Sequence, residues 1–193
     1  MWRHDDGQTL GLYIVAIAAL FFLAFAFFAV GQASVTRNSA QTAADAAALA
    51  AAREARDGSQ AAFLAALKAG DLDKLGQLLQ GSGMKNADGC GAAQAYADEN
   101  HADLGPCDLV ADPVGYSVQV KTQGTVGSSV VDGTENLHAQ ATATAVVEAR
   151  CVLDGTDGKA VKFICAGRPV TIDPTASDFR LDLSTFYSVH LAS

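Results

Sequence analysis

The chain has 193 residues with 13 basic and 21 acidic side chains, giving a formal net charge of −8. Nucleic acids and anionic lipid surfaces bind clusters of basic side chains, so this charge balance argues against both as partners. The hydrophobic fraction of 50% is raised by one apolar segment and by alanine. The rest of the chain has room for one modest domain.

The first predicted element is a membrane-spanning helix. A run of 21 apolar or small residues extends from Leu10 to Val30, and no charged side chain interrupts residues 7–36. At about 1.5 Å per residue this run is about 31 Å long, the thickness of a bilayer's hydrocarbon core. A cleaved signal peptide is the main alternative, because residues 31–33 form a small-x-small cleavage site. The length of the run favours a retained anchor.

The predicted orientation depends mainly on the cysteines. Arg3 precedes the run and Arg37 follows it, so the positive-inside rule decides little. The four cysteines all follow the run: Cys90, Cys107, Cys151 and Cys165. An even number on one side indicates disulfides in an oxidising compartment. We therefore predict a single pass, with the N-terminus inside and the C-terminal domain outside.

Four cysteines allow three pairings. Short loops close at the lowest entropic cost, which favours Cys90–Cys107 and Cys151–Cys165. The spacings match no zinc motif, because the sequence has no Cys-x-x-Cys and no nearby histidine pair. Buried free thiols are the alternative.

The second predicted element is an alanine-rich helical stalk over residues 34–58, which continues the membrane helix. It has no proline, and Gly58 is the expected end. Small side chains recur every four residues, a spacing that lets another backbone approach closely. The predicted packing positions are Ala40, Ala43, Ala44, Ala47, Ala48 and Ala51. They would face other helices, in the outer domain or in a partner subunit. The alternatives are a helix that is merely biased in composition and a helix that packs only on its own domain.

Residues 59–193 are predicted to form an extracytoplasmic α+β domain, after an anchor region at 1–33 and the stalk at 34–58. Alternating apolar and polar residues predict strands over Val114–Thr122 and Leu137–Leu153, paired as a long antiparallel hairpin. Shorter candidates are Val161–Ala166, Pro169–Ile172, Phe179–Leu183 and Phe186–Leu191. Alanines on the inner face of the long strand leave room for a helix. We therefore expect a small antiparallel sheet with helices on one face.

No catalytic constellation is apparent, so we predict no enzymatic activity, no cofactor and no metal. The histidines are scattered at positions 4, 101, 138 and 190. A Cys107–His101 nucleophile pair is less favoured than a disulfide beside a surface histidine. Asp154 and Asp157 occupy a turn that resembles a calcium loop in composition, but it is too short and lacks a final glutamate. A hairpin turn is the favoured interpretation, and no small-molecule substrate is inferred.

The segment from Gly7 to Gly58 resembles the N-terminal region of TadE/TadG-like proteins of the tight-adherence (Tad, or Flp) pilus systems. The resemblance is carried by the apolar run and by the string RNSAQTAADAAALA that follows it. The motif residues in that string are Arg37, Gln41, Ala44, Asp45 and Leu49. The alternating strand at 139–145 is similar to a late strand of the family, and the closing segment at 186–191 is similar more weakly.

This resemblance implies a membrane-anchored component of a bacterial Tad/Flp (type IVc) pilus assembly or secretion system with a pilin-like architecture. It implies insertion in the cytoplasmic membrane, and other pilus-assembly or pilin-like subunits as partners of the N-terminal helix. Some relatives are cut after a glycine before the apolar run, here Gly7, which would leave Gln8 first. The usual pilin glutamate is replaced by Leu12, which favours a minor pseudopilin-like subunit over a major pilin. An anchored extracellular binding module unrelated to pili is the alternative.

Overall fold

One long helix carries a mixed α+β domain. The computed structural model of the chain describes residues 8–85, 87–127, 133 and 135–192. Helix α1 spans Gln8–Gly58, a length of 51 residues. It is uninterrupted because it contains no proline and its many alanines favour helix. At about 1.5 Å per residue it is about 75 Å long.

The other elements follow α1 in a helical group and then a strand group. The helices are α2 (Gln60–Ala69), α3 (Leu72–Leu79) and α4 (Gly89–Glu99). The strands are β1 (Ala102–Ala111), β2 (Val114–Thr122), β3 (Gln140–Ala149), β4 (Cys151–Asp157), β5 (Ala160–Cys165), β6 (Arg168–Ile172) and β7 (Tyr187–Leu191). This arrangement confirms the predicted α+β class.

The first sheet has the strand order β1-β2-β3-β7 and is antiparallel throughout. Its centre is the predicted hairpin, in which Val118 lies opposite Ala143 and Tyr116 lies opposite Ala145. The buried side chains of β2 and β3 alternate along the strands, because successive residues point to opposite faces. Helix α1 packs against β2, β3 and β7.

The predicted single strand at 137–153 is wrong, because the chain changes sheets at Arg150. Strand β3 ends at Ala149. The Arg150 N–H donates to the Phe186 carbonyl at 2.8 Å, and the Arg150 carbonyl accepts from the Ala166 N–H at 2.8 Å. Its backbone therefore links the first sheet to a second, antiparallel sheet of order β4-β5-β6.

Two further local predictions differ from the structure. The segment 179–183 is not a strand; it leads into a 3-10 helix at Leu183–Thr185, where the Asp182 carboxylate accepts from the Ser184 N–H at 2.8 Å. Strand β1 precedes the first strand predicted from the sequence, which begins at Val114. It tolerates Pro106 because it is an edge strand with an irregular register between Leu104 and Cys107.

The core has an alanine-rich part beside α1 and an aromatic part beyond the end of α1. The aromatic part joins α2, β5 and β7: the ring centroids of Phe63 and Phe186 are 4.8 Å apart, and those of Phe163 and Phe186 are 5.0 Å apart. Tyr187 lies at the edge of this group, where its hydroxyl donates to the Leu78 carbonyl at 2.9 Å. The second sheet therefore meets α2 through aromatic side chains, whereas the first sheet meets α1 in the alanine-rich part of the core.

The structure contains two disulfides, in the pairing that the sequence analysis favoured. Cys90–Cys107 joins the start of α4 to β1 across 17 residues. Cys151–Cys165 joins β4 to β5 at directly opposed positions, 14 residues apart. Helix α4 and strand β1 contain few large apolar side chains, so the Cys90–Cys107 bond links two elements that bury little apolar area.

Candidate functional site: the N-terminal helix

The first half of α1 presents an apolar surface that no other described part of the chain covers. Every large side chain from Leu10 to Val30 is exposed, with fractional exposures from 50% at Leu23 to 76% at Phe27. Of the helices in the described residues, this one is long and apolar enough to span a membrane. A contiguous apolar surface of this size is characteristic of a membrane or protein contact. The helix thus fits single-pass membrane anchoring.

The second half of α1 has the opposite environment. Ala43, Ala47 and Ala51 have no exposed surface, and the same is true of the other three predicted packing positions, Ala40, Ala44 and Ala48. All of these except Ala40 belong to the same core as Ala93 and Ala97 of α4 and as alanines of β3. Small side chains on both sides let α1 lie close to α4 and to the sheet.

The structure therefore assigns the six alanines to this chain's own domain. A partner subunit that contacts α1 has to use a different part of the helix. Beyond the apolar half, the surface that remains open includes Arg37, Gln41 and Thr42.

The five motif residues divide between two faces of α1. Arg37, Gln41 and Asp45 follow one another at four-residue intervals, which places them along one side of the helix. The amide of Gln41 donates to a carboxylate oxygen of Asp45 at 2.7 Å. Ala44 is buried and Leu49 packs partly against the core. Gly7 lies outside the described residues, and Gln8 begins α1.

The polar side of the motif borders a groove between α1 and the first sheet. Gln41 and Asp45 line it on the helix side, Thr142 and Thr144 on β3, and Leu191 on β7. The amide, carboxylate and hydroxyl groups of this lining can form hydrogen bonds with a bound surface.

The residues that sequence analysis considered for chemistry are separated in the fold. His138 Nδ1 lies 2.7 Å from the Thr122 carbonyl oxygen, and His190 Nε2 lies 3.8 Å from a carboxylate oxygen of Glu148. Cys107 is in a disulfide, and His4 is outside the described residues. Among the residues that can be placed, no three His, Cys, Asp or Glu side chains form a metal-binding group.

The turn predicted at 154–158 is wrong in its bounds: residues 154–157 form the end of β4, with an irregular register between Leu153 and Gly155, and the hairpin turn to β5 lies at Gly158 and Lys159. The Asp157 carboxylate pairs with the Lys162 ammonium at 2.8 Å. The hydrogen bond from Lys162 and its positive charge lower the pKa of Asp157, and the hydrogen bond to Asp157 and its negative charge raise the pKa of Lys162. This carboxylate is therefore bonded to a cation of the neighbouring strand.

Sequence analysis predicted that the alanine stripe is covered, but it left open whether the covering surface belongs to the outer domain or to a partner subunit. The signal was present in the four-residue repeat, but a repeat of small side chains does not show whether the covering surface belongs to the same chain. The alternating alanines of β3 were the only hint, since they leave space for a helix.

Residues 7–54 match the family described as putative Flp pilus-assembly TadE/G-like. This match confirms the resemblance and supports involvement in Flp pilus assembly. It covers the exposed apolar half of α1 and most of its buried alanine half, and it ends before α2. No curated protein and no solved structure matches the chain.

Proposed function

We propose that this chain, which matches the TadE/G-like Flp pilus-assembly family over residues 7–54, is a minor pseudopilin-like subunit of a bacterial Tad/Flp pilus assembly or secretion system. The observation that carries the proposal is the uncovered apolar half of α1 within the matched segment. The proposed role of the chain is structural, as is general for this family. The chain would act through contacts that its long helix and its domain make with other subunits.

The proposed location is the cytoplasmic membrane, with the N-terminus inside and the α+β domain outside. Two disulfides on one side of the span support this orientation, because they persist in an oxidising compartment. In this arrangement residues 1–33 hold the tail and the span, residues 34–58 attach the domain to the span, and residues 59–193 form the outer domain.

Other pilus subunits are the proposed partners, and they would contact the apolar half of α1. Gly11 and several alanines interrupt the large side chains there, and a Cβ added at Gly11 would meet no neighbouring atom. In a bilayer, small residues of this kind allow helices to approach closely. Leu12 in place of a pilin glutamate supports a minor subunit, and processing after Gly7 remains part of the proposal.

The test is genetic complementation in the bacterium that encodes the chain. Deleting the gene should remove or strongly reduce Flp pili counted by electron microscopy, and the full chain should restore them. The double variant Ile17→Asp/Phe21→Asp should fail to restore pili and should leave the membrane fraction. Two aspartates near the helix centre oppose insertion by about 5–7 kcal/mol, whereas each Leu, Ile, Phe or Val contributes only about 0.3–0.6 kcal/mol in favour.

The matched control is Leu109→Asp/Val152→Asp, which adds the same charge at exposed positions of the outer domain. It should stay in the membrane fraction and restore pili. Normal pili after the deletion would contradict the pilus role and favour an anchored module of another kind. Membrane retention of the Ile17→Asp/Phe21→Asp variant would contradict the assignment of the span.

A further inference from the structure

Strand β2 ends and strand β3 begins on the side of the domain nearer the apolar half of α1. Beyond these two ends, the two chain segments remain joined by one more backbone hydrogen bond. The Val126 N–H donates to the Leu137 carbonyl at 3.0 Å. Gly127 follows immediately and lies beside α1: a Cβ on Gly127 would be 3.5 Å from the side-chain oxygen of Gln32. This contact sets the position of the Val126–Leu137 pair along the helix.

A second contact also places this end of the domain near the apolar half of α1. The turn between α4 and β1 borders a groove on α1, which is lined by Asn100 and His101 on one side and by Val35 and Asn38 on the other. The Gln123 N–H donates to the His101 carbonyl at 2.9 Å. Among the residues that the structure describes, the domain therefore follows α1 as far as Gln32, where the continuation of β2 contacts the helix.

The level of Gln32 can be compared with the bilayer. Gln32 lies two residues beyond Val30, the last residue of the apolar run, which is about 3 Å along the helix axis. The polar layer on each side of a bilayer is about 5–8 Å thick. Gln32, and with it Gly127, therefore lies within the headgroup layer when the apolar run fills the hydrocarbon core.

The side chains at this level suit such an environment. Leu137 is 53% exposed although it is a large apolar residue, and Val126 is half-buried beside it. Their neighbours Thr125 and His138 are polar. Apolar side chains among polar ones, at the boundary of a span, are typical of segments that lie in a membrane interface.

We propose that the Val126–Leu137 pair is a second membrane contact, inserted in the lipid headgroup layer next to α1. The proposed occupant of this surface is lipid, because the pair is followed directly by Gly127, which lies beside Gln32, two residues beyond the apolar run that the same membrane surrounds. The inference rests on the proposed membrane span. It means that the outer domain lies directly on the bilayer and is not held away from it by a free stalk.

The test measures contact between this pair and lipid in the full chain. The single tryptophan, Trp2, is replaced by phenylalanine, and Leu137→Trp or Thr125→Trp is introduced as a reporter. The chain is placed in phosphatidylcholine nanodiscs that contain a lipid with a nitroxide on its headgroup. The matched control is Val152→Trp, at an exposed position of the second sheet. This sheet contacts α3, which follows α1 in the chain, and the end of α1 at Gly58 is about 42 Å from Val30 along the helix axis.

The nitroxide lipid should quench both reporters several-fold more strongly than it quenches Val152→Trp. Equal quenching at all three positions, in discs that contain the chain, would overturn the inference and leave the proposed function intact. Failure of the chain to enter nanodiscs would overturn both. Thr125 is exposed, so the Thr125→Trp reporter decides the result if Leu137→Trp disturbs the fold, and intact disulfides on a non-reducing gel verify the fold.

Discussion

Tyr187 shows how a single side chain joins separate elements of this fold. It begins β7, lies against Phe63 of α2 and donates its hydroxyl to the carbonyl of Leu78 in α3. Burial raises the pKa of Tyr187, because the phenolate would lose its hydration. The Leu78 carbonyl also accepts from the Gly81 N–H at 2.8 Å, so it keeps one partner without the hydroxyl.

Tyr187→Phe should therefore lower the free energy of unfolding by about 0.5–1.5 kcal/mol, the net value of one hydrogen bond. It should also change the pH dependence. The folded pKa is raised above the unfolded value of about 10, so the tyrosine stabilises the fold fully below about pH 10 and progressively less as the pH rises above it. The variant should lose less stability than wild type in that alkaline range.

Thermal unfolding of the full chain in detergent micelles, at neutral and at alkaline pH, measures both effects. Tyr96→Phe is the control, because Tyr96 is exposed on α4. If Tyr187→Phe and Tyr96→Phe behaved alike at both pH values, the buried hydrogen bond would have no measurable role.

At the scale of elements, α1 combines two kinds of helix in one continuous segment. Its first half has large apolar side chains on every side, as a membrane span requires. Its second half has alanines on the buried side and polar residues such as Arg37 and Gln41 on the other. Alanine buries little area, so the stability of this half comes from close packing with α4 and the sheet.

Ala47→Leu tests this packing. The substitution barely changes helix propensity, but Ala47 has no exposed surface, so a larger side chain should lower the free energy of unfolding by about 1–3 kcal/mol. Ala62→Leu, at an exposed position of α2, is the matched control and should unfold like wild type. Unfolding of Ala47→Leu at the wild-type temperature would mean that this face of α1 is not tightly packed in the domain.

At the scale of the whole molecule, the two disulfides link orientation to folding. Each closes a short loop, and together they join α4 to the first sheet and strengthen the second sheet. A loop of about 15 residues corresponds to about 3 kcal/mol of stabilisation in the chain-entropy model. That contribution is available only where the domain meets an oxidising compartment.

Full-length chain taken from membranes under non-reducing conditions should therefore show no thiol that reacts with a maleimide reagent, and four after reduction, because every cysteine is paired. The variant Cys90→Ser should expose one thiol, and peptide mapping should locate it at Cys107. A label at Cys151 or Cys165 in this variant would contradict the pairing. Four reactive thiols in unreduced wild type would contradict the outward orientation of the domain.

The features that the sequence by itself determined are those that depend on neighbouring residues. The apolar run from Leu10 to Val30, the alternation in β2 and β3, and the helix stop at Gly58 are local in this sense. Both disulfides close loops short enough for sequence separation to identify them. The likeness to the pilus-assembly family also lies in continuous segments of the chain.

Only the tertiary structure decided which surfaces meet. The pattern at Arg150 continues an alternating strand, but the hydrogen bonds to Phe186 and Ala166, each remote in sequence, move the chain to a second sheet. The alanine repeat of α1 does not show which surface covers it; α4 and the first sheet do so in this chain. Likewise, the place of Gly127 beside Gln32 depends on a contact across 95 residues of sequence. Periodicity specifies a face of an element, whereas the partner of that face is selected by long-range packing.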